Sequence, residues 1–177
     1  MTDSGQSRIG VSFDAKPHAF DPIANPELFD GVLAGRIMAF VIDLIIIAVP
    51  LIATAIFIFM FGLLTFGLGW ALFWLLSPAS VLWALIYYGS TLGSPASATF
   101  GMRAMGIEMR TWYGAPAYFV LGAMHAILYW VTLSFLSPFV LLVGLFNARR
   151  RLLHDFVVGV VIVNTPARAA TLRAGRR

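Results

Sequence analysis

The sequence predicts an α-helical integral membrane protein: a helical hairpin, a third long apolar segment, and two short strand-like segments on the cytoplasmic side. Three observations predict it. Charged residues make up 11% of the 177-residue chain and apolar ones 60%, against about 25% and 45–50% in soluble domains, so there is too little charge to cover a water-facing surface. The charges are also segregated: Asp43 is the only one between Arg36 and Arg103, and none lies between Arg110 and Arg149. The uncharged stretches, finally, have the length of a bilayer core, which about 20 apolar residues cross as a helix.

The net charge of +4 is carried outside the apolar runs, at Arg103, Arg110, Arg149, Arg150, Arg151, Arg168, Arg173, Arg176 and Arg177. A nucleic-acid-binding protein spreads its cations along a water-facing scaffold. Cations flanking hydrocarbon-length stretches instead point to anionic lipid and an inside surface, so the lipid bilayer is the expected partner and nucleic acid is not. The chain has no cysteine, which excludes disulfides, thiolate catalysis and Cys-ligated metals. Residues 1–30 lack the apolar core of a signal peptide, so the first apolar run is expected to stay as a span. The expected organisation is a polar, partly disordered leader (1–30), a transmembrane domain (31–165) and a basic tail (166–177).

In the leader, Pro17, Pro22 and Pro26 interrupt any long helix. Asn25-Pro26-Glu27 has the form of a helix start: a capping residue, proline at the first position, then an acid. Phe13, Phe20 and Phe29 suit the membrane surface, a disordered tail being the alternative for the first twenty residues. The first span is expected from about Ile37 to Met60, with Pro50 as a site for a kink that neighbouring helices can satisfy. Gly62, Thr65, Gly67 and Gly69 mark an uncharged turn. The second span runs from about Trp70 to Gly89, and its aromatic ends, Trp70 and Trp74 against Tyr87 and Tyr88, lie about 26 Å apart along a helix, which fits interfacial belts.

After a loop rich in small polar residues (90–99), Gly106 to Trp112 alternates apolar and polar side chains, and Val157 to Val163 is a second strand signal. The two can pair outside the hydrocarbon. Between them, Ala115 to Asn147 would reach about 48 Å as one helix, too long for an upright span. Ser134, Ser137 and Pro138 supply a break, so the segment is either a single tilted helix or a broken one that returns. A return collects all cationic flanks on one side, as the positive-inside rule prefers. It predicts a multi-pass protein of the cell membrane with both termini cytoplasmic, the Arg149–Arg151 cluster serving as an interface anchor.

Asp43 is the most informative position. An ionised carboxylate at hydrocarbon depth costs at least ~2.5–3.5 kcal/mol, so it needs a partner or a proton. Arg36 shares its helix face, about 10.5 Å away along the axis. That is too far for direct contact unless the side chain leans inward or water bridges, and a partner from another element is an equal alternative. Asp155 follows Arg149-Arg150-Arg151-Leu152-Leu153-His154. From spacing, a solvated surface anchor outweighs a fold-back of Asp155 onto Arg36.

The remaining polar residues carry little chemistry. His125 reads as a helix–helix hydrogen bond. His154 beside Asp155 would not face it as a chain neighbour. His18, His125 and His154 lack metal-ligand spacing, so no metal site is expected. Gly101 and Gly106 form no phosphate loop, and Ser134 and Ser137 have no base within useful spacing. No catalytic residue, enzyme activity or cofactor is expected.

Several stretches together resemble the RDD family of membrane proteins, named for one arginine and two aspartates. They are Arg36-Ile37-Met38-Ala39-Phe40-Val41-Ile42-Asp43, Thr99-Phe100-Gly101-Met102-Arg103 with Gly106-Ile107, and Leu153-His154-Asp155 leading to Gly159-Val160-Val161-Ile162-Val163. Phe100, Met102 and Val160 depart from the proline, lysine and threonine of the family pattern. The resemblance spans roughly residues 31–165. It implies a joint role for Arg36, Asp43 and Asp155 and a link to transport, with cation/proton antiport in some members. Two functions compete. In a transporter of a small cation or solute, or a component of one, Asp43 is the cation or proton carboxylate, Arg36 its partner and Asp155 a gate. A homo-oligomer or a partner membrane subunit would then complete the pathway. In a scaffold or assembly factor, the three residues form a buried ionic lock.

Overall fold

The computed structural model describes residues 19–136 and 138–176; Phe13, Pro17, His18 and Ser137 lie outside them. After a short 3-10 turn at Pro26–Leu28, Gly31 takes a left-handed conformation (φ 69°) and helix α1 runs over Val32–Leu64. The Asn25-Pro26-Glu27 start is thus a single turn, and the long helix begins six residues later. In its first half the buried residues, Val32, Gly35, Ala39, Asp43 and Ile47, recur at three- and four-residue steps, one helix face. Most of the remaining surface of α1 is exposed and apolar. Pro50 is accommodated within α1, with the Thr54 hydroxyl donating to its carbonyl.

A tight turn carries Gly67 at φ 95°, a backbone that glycine adopts without strain. A 3-10 segment, Leu68–Leu72, then leads into α2, Phe73–Leu92. Trp70 does not simply mark an interface. Its indole N–H donates to the Phe59 carbonyl, 3.2 Å away, and its ring fills the space where any side chain at Gly62 would sit. Trp74 remains 89% exposed. Two helical stretches, Pro26–Leu64 and Leu68–Leu92, are long and apolar enough to cross a membrane.

Beyond α2 come the short helix α3 (Phe100–Ala104) and strand β1 (Ile107–Thr111). The third apolar segment divides into α4 (Phe119–Leu136) and α5 (Pro138–Leu145). Gly144, near the end of α5, packs against Leu152 and Leu33, so this end lies beside the first turn of α1. Short helix α6 (Leu153–Val158) follows, then β2 (Val160–Asn164) and α7 (Pro166–Ala174).

Strands β1 and β2 pair antiparallel, with Met109 opposite Ile162. The second strand starts later than the apolar run suggests, because Val157 and Val158 belong to α6, which Gly159 ends at φ 74°. It shows no alternation because both faces are covered. Val160 and Ile162 join the main core with Ile107 and Met109, while Val161 and Val163 pack with Phe29. Phe29, expected on a membrane surface, is therefore a core residue, 5% exposed.

The last residues of the leader are tied to the tail. Asn164 Nδ2 donates to the carbonyls of Glu27 and Asp30, both at 2.8 Å. Arg173 pairs with Glu27, and Arg176 with Asp30 at 2.9 Å.

Candidate functional site

Two of the buried carboxylates, Asp43 and Asp155, each have their own set of donors. The first is Asp43, on the buried face of α1 and 3% exposed. Its Oδ1 accepts from the Tyr87 hydroxyl (2.5 Å) and from the Gly101 amide (2.8 Å), and its Oδ2 accepts from the Thr99 hydroxyl (2.6 Å). Every contact comes from a donor, the pattern a carboxylate makes.

Local sequence explains the arrangement. Thr99 caps α3 by accepting from the Met102 amide at 3.0 Å, the usual work of threonine at a helix start. Gly101 lets α3 close on α1, since a Cβ there would lie 2.2 Å from the Ala39 carbonyl oxygen. Phe100 occupies the first helical position, half exposed, where the proline of the resembling pattern would also fit. Met102, in place of a lysine, is buried without adding charge.

The second carboxylate is Asp155, fully buried at the start of α6. It folds back onto Arg36, against the expectation from spacing. The Arg36 guanidinium grips both oxygens, at 2.5 and 3.0 Å, a bidentate pairing. His125 Nε2 lies 2.9 Å from Oδ1, and the Leu152 amide donates to Oδ2 at 2.8 Å. Burial by itself pushes the Asp155 carboxyl up. The Arg36 charge and the hydrogen bonds from His125 and Arg36 outweigh it and hold the group well below the usual carboxylate range.

His154 also faces this centre. Its Nε2 is 3.3 Å from Arg36 and its Nδ1 is 3.3 Å from the Thr132 hydroxyl. Because the guanidinium can only donate, Nε2 is assigned as acceptor and Nδ1 as the protonated nitrogen. Burial pushes the His154 pKa down to about 3, so the ring is neutral at physiological pH. His125, His154 and Asp155 bring ligand-type atoms within 4.8 Å of one another, a cluster that sequence spacing did not reveal. Arg36 contacts two of the three and supplies the positive charge there. A metal ion would have to displace it.

The three expected site residues therefore fall into two groups. Arg36 joins Asp155, whereas Asp43 makes no ion pair among the described residues. A cavity of about 220 Å³ lies between α1, α2 and α4, and Arg36, Asp43 and His125 all line it.

Among the expected anchors, Tyr87 and Tyr88 are corrected. They are 6% and 8% exposed, turned inward against Asp43 and the cavity. An aromatic pair at the end of an apolar run looks the same in sequence whether it faces lipid or a buried acid. Arg151 is corrected as well. It is 3% exposed, donates to the Val160 and Asp155 carbonyls at 2.9 and 2.8 Å, and lies over the rings of Trp112 and Phe156. Arg149 donates to the Phe20 carbonyl and Arg150 to that of Leu145. Thr99 and Gly101, the remaining partners of Asp43, are site residues that spacing alone does not single out. Their place directly before and within the α3 start was the available signal.

The sequence pattern described as the RDD family matches residues 31–159. No curated protein and no solved structure matches the chain.

Proposed function

This chain belongs to the RDD family, and from that premise we propose that it is a membrane transporter, or a component of one, for a small cation or solute. The observation that carries the reading is Asp43. It is an acidic side chain on the buried face of a helix long enough to span a bilayer, it lines a cavity, and its partners among the described residues are neutral donors. An intramembrane acid facing an interior cavity is characteristic of substrate and ion pathways. In this reading Asp43 offers a carboxylate to a passing cation or proton. Arg36 and Asp155 hold α1 to α6 at one end of the cavity. A second copy or a partner subunit completes the pathway, since three apolar segments leave much of their surface uncovered.

The test is flux in proteoliposomes with Asp43→Asn. The amide keeps the shape of the side chain, so the variant should fold and lose transport. Wild-type flux from a folded variant would remove Asp43 from the mechanism.

A second reading, a scaffold or assembly factor, draws on a different observation: the buried Arg36–Asp155 pair joins segments 119 residues apart. There the ion pair is a structural lock and partner capture, not flux, is the activity. A protein that moves no cation or solute in any gradient, yet loses a membrane partner when Asp155 is changed, would favour it.

A further inference from the structure

The cavity between α1, α2 and α4 combines a greasy wall with one unbalanced charge. Its carbon surface comes from residues such as Ile37, Phe40, Leu92, Met102 and Leu133. Of the two charged side chains that reach it, Arg36 is neutralised by Asp155, whereas Asp43 is met by a tyrosine, a threonine and a backbone amide. The formal charge left over is therefore negative and sits at Asp43.

The two oxygens of that carboxylate are not equivalent. Among the described residues Oδ1 already takes two donors, while Oδ2 takes the Thr99 hydroxyl alone, so Oδ2 has acceptor capacity to spare. Thr99 lines the cavity along with Asp43, whereas Tyr87 and Gly101, the donors to Oδ1, do not. The oxygen with spare capacity is the one whose donor, Thr99, also lines the cavity.

We propose that this cavity binds an amphiphilic organic monocation, an ammonium group on an apolar body, with the ammonium at Asp43 Oδ2. The proposal rests on the transport reading for its use and names the class of substrate. Size fits: about 220 Å³ exceeds the ~150 Å³ of an apolar cavity known to admit benzene, leaving room for a ring with a short ammonium arm. The wall fits as well. A bare inorganic cation of the divalent kind needs about six oxygen ligands, and a mostly carbon surface does not provide them. A primary ammonium can give one N–H to Oδ2 and turn its others toward the aromatic rings of Phe40, Tyr88 and Tyr129, which line the same cavity. A neutral apolar guest would leave Asp43 without a counter-charge. Among the described lining residues Ile37, 40% exposed, is the one that is exposed, and it marks the mouth.

The test is calorimetric titration of the full chain in lipid nanodiscs with phenethylammonium, with phenethyl alcohol as its neutral counterpart, and with sodium chloride. Empty nanodiscs are subtracted. Phenethylammonium should bind saturably and about tenfold or more tighter than the alcohol, the share expected of a charge-assisted hydrogen bond. Sodium should give no saturable heat. Asp43→Asn should abolish the preference for the charged ligand. Leu133→Trp, which adds bulk to the cavity wall from α4 and leaves Asp43 in place, should abolish binding of both. Equal affinity for ammonium and alcohol in the wild type would overturn the proposal and leave an apolar, lipid-filled space. A preference that survives Asp43→Asn would overturn it too. Binding is read without flux, so loss of transport in Asp43→Asn combined with no ammonium binding would refute the substrate class while leaving the transport reading intact.

Discussion

At Asp43 the donors divide unevenly between the two oxygens, and this decides what a substitution does. In Asp43→Asn the amide oxygen can keep both Tyr87 and Gly101, while the amide nitrogen faces Thr99, whose hydroxyl can turn to accept. At Asp155 each oxygen faces a donor that cannot become an acceptor: Arg36 at Oδ1, and Arg36 with the Leu152 amide at Oδ2. An amide nitrogen in either place meets another donor, and Arg36 loses its counter-charge, a change that costs about 3–5 kcal/mol at buried pairs. Gly101→Ala is expected to be costly for a steric reason. Its Cβ would fall 2.2 Å from the Ala39 carbonyl oxygen, so α3 must lift from α1, with a loss of about 1–3 kcal/mol in a thermal melt. His154 gives a pH dependence with a definite sign. Its folded pKa of about 3 lies below the ordinary 6.5, so the unfolded chain binds the proton first. Its contribution is complete above pH 6.5 and is lost as pH falls toward 3, at about 1.4 kcal/mol per pH unit at most. The Asp155 carboxyl adds a further loss below the ordinary carboxylate range, because its folded pKa is also lowered. Melts of His154→Gln should be flatter than wild type between pH 6.5 and 4; an identical slope would place the titration elsewhere.

At the scale of elements, the hairpin was legible because hydropathy alone reports long apolar helices. Its ends were less so. The left-handed Gly31 sets the start of α1 at Val32, and nothing in the apolar pattern records it. The strand pair was legible in β1, which alternates, and only partly in β2, where burial on both faces erases the alternation and the first two valines belong to α6. The contacts of the carboxylates were the least legible. Tyr87 and Thr99 lie 44 and 56 residues from Asp43, and Asp155 lies 119 residues from Arg36, distances at which spacing carries no information. The resemblance to a family grouped Arg36, Asp43 and Asp155, and only the fold separates them into two centres. The turn between α1 and α2 offers its own check. Gly62→Ala places a methyl group inside the Trp70 ring position, so it should displace the indole and shift tryptophan fluorescence. An unchanged spectrum would mean that Trp70 does not rest on α1.

For the whole molecule, the ends of the described chain meet: Glu27 and Asp30 are held by Asn164, Arg173 and Arg176. The third apolar segment brings Gly144 back beside Leu33. If that return is an excursion through the bilayer, Ser134→Cys and Ala170→Cys in this cysteine-free chain should label from opposite faces, 170 from the cytoplasm. Labelling of 170 from outside would reverse the orientation. Above both questions stands the proposed division of labour between a carboxylate that serves a ligand and a carboxylate that holds the fold. Side-by-side thermal unfolding of Asp43→Asn and Asp155→Asn tests it most directly. The division predicts a melting temperature near wild type for Asp43→Asn and a drop of several degrees or more for Asp155→Asn. A large drop for Asp43→Asn with little change for Asp155→Asn would contradict it.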